Sequence, residues 1–195
     1  MSAQNEVAGR PASHPLVVEL GIGDGRFLKN LAKAGMNQGI TFEGIEVDPA
    51  KCELAREFLP SNATVINSLC QDALRRYDNC SVDEFISILP DPALIDQSRE
   101  DDWREFYRVL YLKLRSGGRF HLITELTNDL FEPVPPIEFY RWVDWLVRTF
   151  ESINFKALSC MPGAPSGYST GCLDQFAGDP ERIRIVTLEL IKPLE

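Results

Sequence analysis

The chain is short of the residues that would hold a metal or a disulfide framework. Five cysteines, Cys52, Cys70, Cys80, Cys160 and Cys172, form an odd set with no C-x-x-C pair. The two histidines, His14 and His121, have no partner at ligand spacing. This pattern argues against zinc, any other bound metal and paired disulfides, and it leaves the thiols as buried or idle groups. No apolar run approaches the ~20 residues of a membrane-spanning helix, and the first fifteen residues lack the basic and apolar regions of a signal peptide. A cytoplasmic location without membrane contact is expected. Positive charge is scarce as well, with 20 Lys and Arg against 29 Asp and Glu and a net charge of -9. Phosphate contacts rely on Lys, Arg and released counterions, so the overall balance gives a nucleic-acid surface no support. Repeats and low-complexity tracts are also missing. What remains is 195 residues, 44% hydrophobic and 25% charged, which suits one globular domain over 16–195 preceded by a flexible leader over 1–15.

The most informative segment is Glu19-Leu20-Gly21-Ile22-Gly23-Asp24-Gly25, which follows apolar Leu16-Val17-Val18 and precedes a helical pattern. Glycines suit a sharp turn with positive φ, where the backbone approaches a ligand more closely than a Cβ would permit. A dinucleotide fingerprint needs Gly or Ala three residues after its second Gly, and Arg26 stands there, so NAD and FAD are disfavoured. The segment reads as a cradle for a nucleotide cofactor, with a ligand-free turn between strand and helix as the alternative.

Hydrophobic period and punctuation predict an alternating fold. Phe27, Leu28, Leu31 and Ala32 mark a helix that Gly35 would cap, Ile40 to Val47 forms the second strand, and Asp48-Pro49 opens a helix ending at Pro60. Strands follow at Ala63 to Asn67 and Glu84 to Leu89, separated by a short helix near Ala73 to Tyr77. Ser98, three residues before Asp101, resembles a capping box for a helix that Gly117-Gly118 would end. A strand at Arg119 to Thr124 and a last helix from Pro135-Pro136 to Phe150 come next. Two final strands, near Phe155 to Cys160 and Ile183 to Leu190, enclose a Gly- and Pro-containing loop. The implied class is α/β, a single Rossmann-like domain with a mainly parallel seven-stranded sheet and an antiparallel C-terminal strand.

In such a sheet the ligand lies at the carboxyl ends of the strands. Glu46 closes the second strand, where a carboxylate accepts hydrogen bonds from both hydroxyls of a ribose; a solvated strand end or a helix-capping acid is the alternative. Asp72 in Gln71-Asp72-Ala73 is placed to accept from an adenine amino group, to cap the Ala73 helix, or both. Asp91 stands between Pro90 and Pro92 after the fourth strand, either beside the reaction centre or as a turn residue. The loop over 161–180 would cover the site, with Tyr168 available for stacking, or would be a plain hairpin connection.

The turn Gly21-Ile22-Gly23-Asp24-Gly25, with Glu19 two positions ahead of it, resembles motif I of the class I S-adenosylmethionine methyltransferases. Together with Gly44-Ile45-Glu46, Asp72-Ala73, Ser81-Val82-Asp83 leading to Pro90-Asp91-Pro92, Gly117-Gly118 and Thr124-Glu125, it resembles the bacterial tRNA (guanine-N(7))-methyltransferase family over roughly residues 16–130. That resemblance implies S-adenosyl-L-methionine as cofactor, tRNA as partner and a possible homodimer. It makes Glu19, Gly21, Gly23, Gly25, Glu46, Asp72, Ala73 and Asp91 cofactor contacts, and Asp91 the catalytic group. Thr124, Glu125, Tyr168 and Thr170 become substrate-side residues. Two departures matter. The family's basic run after Pro-Asp-Pro is here Ala93 to Asp102, and between Ser81 and Glu105 there are eight acids and two arginines. The late Thr-x-x-Glu signature pairs Thr170 with Leu173, or Asp174 with Gly171. A methyltransferase with a small-molecule or other non-tRNA acceptor, and a non-catalytic cofactor-binding partner protein, are the alternatives.

Overall fold

A computed structural model describes residues 14–128 and 132–194. The expected leader over 1–15 therefore lies outside the described residues apart from its last two positions. Seven strands, β1 (Leu16–Leu20), β2 (Thr41–Glu46), β3 (Ala63–Asn67), β4 (Val82–Ile88), β5 (Leu114–Leu126), β6 (Lys156–Pro162) and β7 (Arg184–Ile191), form one sheet in the order β3-β2-β1-β4-β5-β7-β6. Strands β1 to β5 pair in parallel, and β7 runs antiparallel to both β5 and β6. The strand order reverses between β1 and β4, which opens a crevice above their carboxyl ends.

Helices α1 (Arg26–Gly35), α2 (Pro49–Phe58), α3 (Cys70–Leu74), α4 (Glu100–Lys113), α5 (Pro136–Ser152) and α6 (Gly171–Ala177) cover the sheet. Two apolar layers result. Trp103, Tyr107, Leu110, Phe120, Phe150 and Phe155 pack between the sheet and the α3–α5 side, with aromatic rings 4.9 to 6.4 Å apart in edge and tilted contacts. Phe27, Leu28, Ile86, Ile123 and Leu173 fill the other layer. Truncating a ring such as Phe150 to Ala would cost about 3–5 kcal/mol through lost burial and the cavity left behind. Among the described residues no helix is long and apolar enough to cross a membrane.

The seven strands and the helix opened by Asp48-Pro49 are present as expected, with Ala50 N–H donating to Asp48 Oδ1 at 2.9 Å. Several local expectations are corrected. Gly35 stays helical at φ -86°, and the left-handed stop is Gly39 at φ 69°, after a 3₁₀ turn. Ser98 does not cap α4; it lies in a 3₁₀ turn capped by Asp96, and α4 begins at Glu100 without a side-chain cap. Gly117-Gly118 lie inside β5, because Leu114 already pairs with Val82 and an irregularity in the ladder absorbs the glycines. The helix near Ala73 begins earlier, at Cys70. Finally, α5 is not the last helix, since α6 forms within the β6–β7 connection.

Candidate functional site

The crevice is built on the glycine turn. The N–H groups of Gly21 and Ile22 both donate to Ile45 O, at 2.8 and 3.1 Å, which pins the end of β1 to the end of β2 before the chain enters α1. Gly21, Gly23 and Gly25 have φ of 73, 55 and 71°. A Cβ added at Gly21 or Gly23 would meet nothing within 4 Å, so backbone conformation rather than crowding calls for glycine there, and the turn presents bare backbone. Crowding does act one strand away. A Cβ on Gly44 would sit 2.5 Å from Ile22 and 2.6 Å from Leu28, so this glycine lets the turn and α1 settle on the sheet.

Glu46 ends β2 and is 7% exposed. Its Oε2 accepts from Gly23 N–H at 2.9 Å and its Oε1 from Asp48 N–H at 3.0 Å. Each carboxylate oxygen therefore keeps a further acceptor site for a ligand. A cavity of about 260 Å³ adjoins it, lined by Gly21, Glu46, Val47, Leu69, Gln71 and Asp91 among others. Val47 and Leu69 are apolar yet 58 and 53% exposed, as two open jaws of the same cavity. A second cavity of about 400 Å³ shares Gly21, Glu46 and Leu89 with the first and is walled on its far side by Thr170, Gly171 and Cys172. Leu89 holds φ 50°, which costs a non-glycine residue of order 1 kcal/mol, and its N–H is fixed to Ile123 O at 2.8 Å.

Beneath the turn, Glu19 is 1% exposed and neither carboxylate oxygen has a hydrogen-bond partner. Burial, and then the nearby Asp24 and Glu46 charges, push its carboxyl well above the ordinary value. A buried acid without partners is expensive for a fold to keep, and its two oxygens could accept from a donor or cation brought to them.

The other expected residues divide. Asp91 lines the first cavity, with Oδ1 accepting from Ala93 N–H at 2.9 Å as the cap of a short turn. Asp72 is exposed, ion-paired to Arg75 at 3.4 Å and absent from the cavity wall, while Ala73 is buried in the core; Gln71 takes the wall position expected of Asp72. Asp72 is also no cap, since α3 starts after Leu69. Starting α3 earlier turns the carboxylate away, because each residue rotates a helix by about 100°. Glu125 is half-buried at the end of β5, and its Oε2 lacks a partner. Burial pushes its carboxyl up to about 7. Thr124 is fully buried with an unpartnered hydroxyl. Tyr168 lies against Phe27, with ring centroids 4.5 Å apart, rather than free for a ligand. Thr170 caps α6 by accepting from Leu173 N–H at 3.1 Å, and Leu173 belongs to the core. Val47, Leu69 and Gln71 were missed by sequence reasoning; the signal available for Val47 was an apolar residue next to Glu46 just where a helix opens.

No protein-family model and no curated protein matches the chain by sequence. Solved structures do match its shape. A 4+2 cyclase superposes with a TM-score of 0.63 at 12% identity, over 94% of this chain and 77% of that one. A geranyl diphosphate C-methyltransferase from Streptomyces coelicolor A3(2), solved with Mg2+, geranyl diphosphate and S-adenosyl-L-homocysteine, gives 0.62 at 14% identity over 94 and 74%. A provisionally assigned sarcosine dimethylglycine methyltransferase from Galdieria sulphuraria gives 0.61 at 10% identity over 92 and 79%. With the strand order, these likenesses show that the fold is that of the class I methyltransferases.

Proposed function

We propose that the chain is an S-adenosylmethionine-dependent methyltransferase whose acceptor is a small molecule rather than tRNA. The observation that carries the cofactor reading is the Glu46 cradle, in which Gly23 N–H and Asp48 N–H hold the carboxylate beside a cavity jawed by Val47 and Leu69. The residues fit the group. Glu46 suits the two ribose hydroxyls, and Val47 and Leu69 suit the faces of a purine. The Gln71 carboxamide, both donor and acceptor, suits its edge. Glu19 supplies the negative charge that the ammonium of the methionine moiety needs, and Gly21 and Gly23 give that moiety a close backbone approach. When bound, the cofactor supplies an electrophilic methyl group on sulfur.

Holding donor and acceptor in line is then the chain's main contribution. Asp91 lines the adenosine side of this arrangement and retains an oxygen not used in its cap, while Thr170 borders the second cavity. Glu125, with Thr124 beside it in sequence, stands at the end of β5 next to the strand that leads to Leu89. With its carboxyl pushed up to about 7, its ionised form can take up the proton that an acceptor loses on methylation.

The preference for a small acceptor rests on surface charge. Arg75, Arg99, Arg104, Arg108, Arg115 and Arg119 are each ion-paired to an acid, so they are poorly available to a phosphate backbone. Two structural neighbours carry names of small acceptors, geranyl diphosphate and sarcosine, which supports the same direction. The test is methyl transfer from labelled cofactor to unmodified bulk tRNA and, in parallel, to a panel of small hydroxyl, amine and carbon-acid compounds. Labelling within the panel and not in tRNA is expected. Labelling of tRNA would restore the guanine reading, and cofactor binding with no transfer to any acceptor would favour a non-catalytic protein.

A further inference from the structure

The connection between β6 and β7 does more than join two strands. Gly163 and Gly167 sit at φ 83 and 91° with open space where a Cβ would be, so the chain has two left-handed points in a short stretch. Between them and the core anchor Leu173 the segment is bonded mostly to itself. Tyr168 N–H donates to Pro165 O at 3.2 Å, Ser169 Oγ donates to Asp174 at 3.0 Å, and Leu173 N–H donates to Thr170 Oγ1. Two contacts tie it to the glycine turn. Gly171 N–H donates to Asp24 Oδ2 at 3.2 Å, and the Tyr168 ring rests on Phe27 at the start of α1. The same Asp24 is held by Arg26, whose Nε donates to Oδ2 at 2.8 Å and whose N–H donates to Oδ1 at 3.1 Å. Thr170, Gly171 and Cys172 thereby form the wall of the second cavity opposite Gly21 and Leu89.

We propose that the arm over 163–172 is a cover that closes on the bound cofactor and swings aside for its exchange, with Asp24 as the positioning residue that latches it. This inference rests on the cofactor reading above. The arm suits that motion, because its internal bonds survive opening, its hinges carry no side chains, and its latch is one hydrogen bond and one ring contact. Opening breaks those two contacts and lifts the Tyr168 ring off the apolar layer around Phe27, while Gly163 stays hydrogen-bonded to Ile185 and Thr187 of β7 and Leu173 stays buried. A Cβ at 171 would fall 3.3 Å from both Asp24 Oδ2 and an Arg26 terminal nitrogen, so a side chain there would press on the latch. Cofactor release would then be governed by the latch rather than by the cradle.

Hydrogen exchange measured by mass spectrometry on the full chain, with and without S-adenosylhomocysteine, tests this. The ligand should slow exchange over 163–172 as well as at the glycine turn and Ser68 to Gln71. Asp24→Ala should speed exchange of the unliganded arm about tenfold and accelerate ligand dissociation by a similar factor, with Ser68 to Gln71 still protected on binding. Asp24→Asn, which keeps an acceptor for Gly171 N–H, should restore part of both. Tyr168→Ala, which leaves the turn sequence intact, should accelerate arm exchange in the same sense even if Asp24→Ala proves unstable. Protection at Ser68 to Gln71 with an arm indifferent to ligand and to both variants would overturn the cover and leave the cofactor reading standing. No protection in either place would overturn both.

Discussion

The carboxylates at the strand ends and the arginines along α4 are treated in opposite ways by the same fold. Glu19 is sealed beneath the glycine turn with no partner for either oxygen, and Glu125 keeps one oxygen unpaired at the end of β5. On α4 and its flanks, Arg99 meets Asp102 at 2.9 Å, Arg104 meets Glu100 at 2.8 Å, Arg108 meets Glu105 at 3.6 Å and Arg115 meets Asp83 at 2.5 Å. The exposed pairs among them, Arg99–Asp102 and Arg108–Glu105, contribute about 0–1 kcal/mol each, and all four offset the field that would draw a polyanion. Unpaired buried acids do the reverse, since each leaves a costly group that a donor or cation would stabilise. The contrast separates a surface whose charges are paired with one another from a crevice whose acids are not.

Removing the carboxylate that the crevice depends on most should break this contrast with the largest effect. Glu46→Ala is expected to weaken S-adenosylhomocysteine binding about a thousandfold by calorimetry, through two lost charge-assisted hydrogen bonds. An affinity within a few-fold of the parent would remove Glu46 from the site.

Glu125 comes next. Its folded pKa of about 7 lies above the unfolded carboxyl value, so between those values the folded state keeps a proton that the unfolded state has lost. Stability is unaffected below about pH 4 and falls by about 3 kcal/mol as pH rises to 7. Glu125→Gln should remove that fall in denaturant titrations across the window, and an unchanged slope would place the proton elsewhere.

A smaller effect concerns Glu19, whose carboxyl burial raises well above the ordinary value and whose ionised form a cationic ligand group would favour. Binding would then lower that pKa and release protons, measurable as a dependence of binding heat on buffer ionisation enthalpy. Glu19→Gln should abolish the release. The smallest change is expected on the paired surface, where Arg108→Ala should shift stability by less than about 0.5 kcal/mol and leave tRNA retention as weak as before.

Much of the crevice was legible because its signals are local. Three glycines at alternating positions, an acid closing the next strand and Asp48-Pro49 at a helix entrance each state their backbone geometry within a few residues. What was hidden depends on packing across the sheet. Helix α6 is only seven residues long, and its stability comes from Leu173 joining the buried layer that holds Ile88 and Ile123 rather than from periodicity. Asp72 read as an adenine contact because its place after β3 was right; the starting point of α3, three residues earlier than expected, decided that Gln71 lines the cavity instead. Gly117-Gly118 read as a helix stop, although the chain uses them to carry β5 past an irregular pairing with β4.

Calorimetric titration of the full chain with S-adenosylhomocysteine tests the central claim most directly. One site per chain is predicted, with proton release on binding. A flat titration at millimolar ligand would contradict the account and return the glycine turn to a structural role.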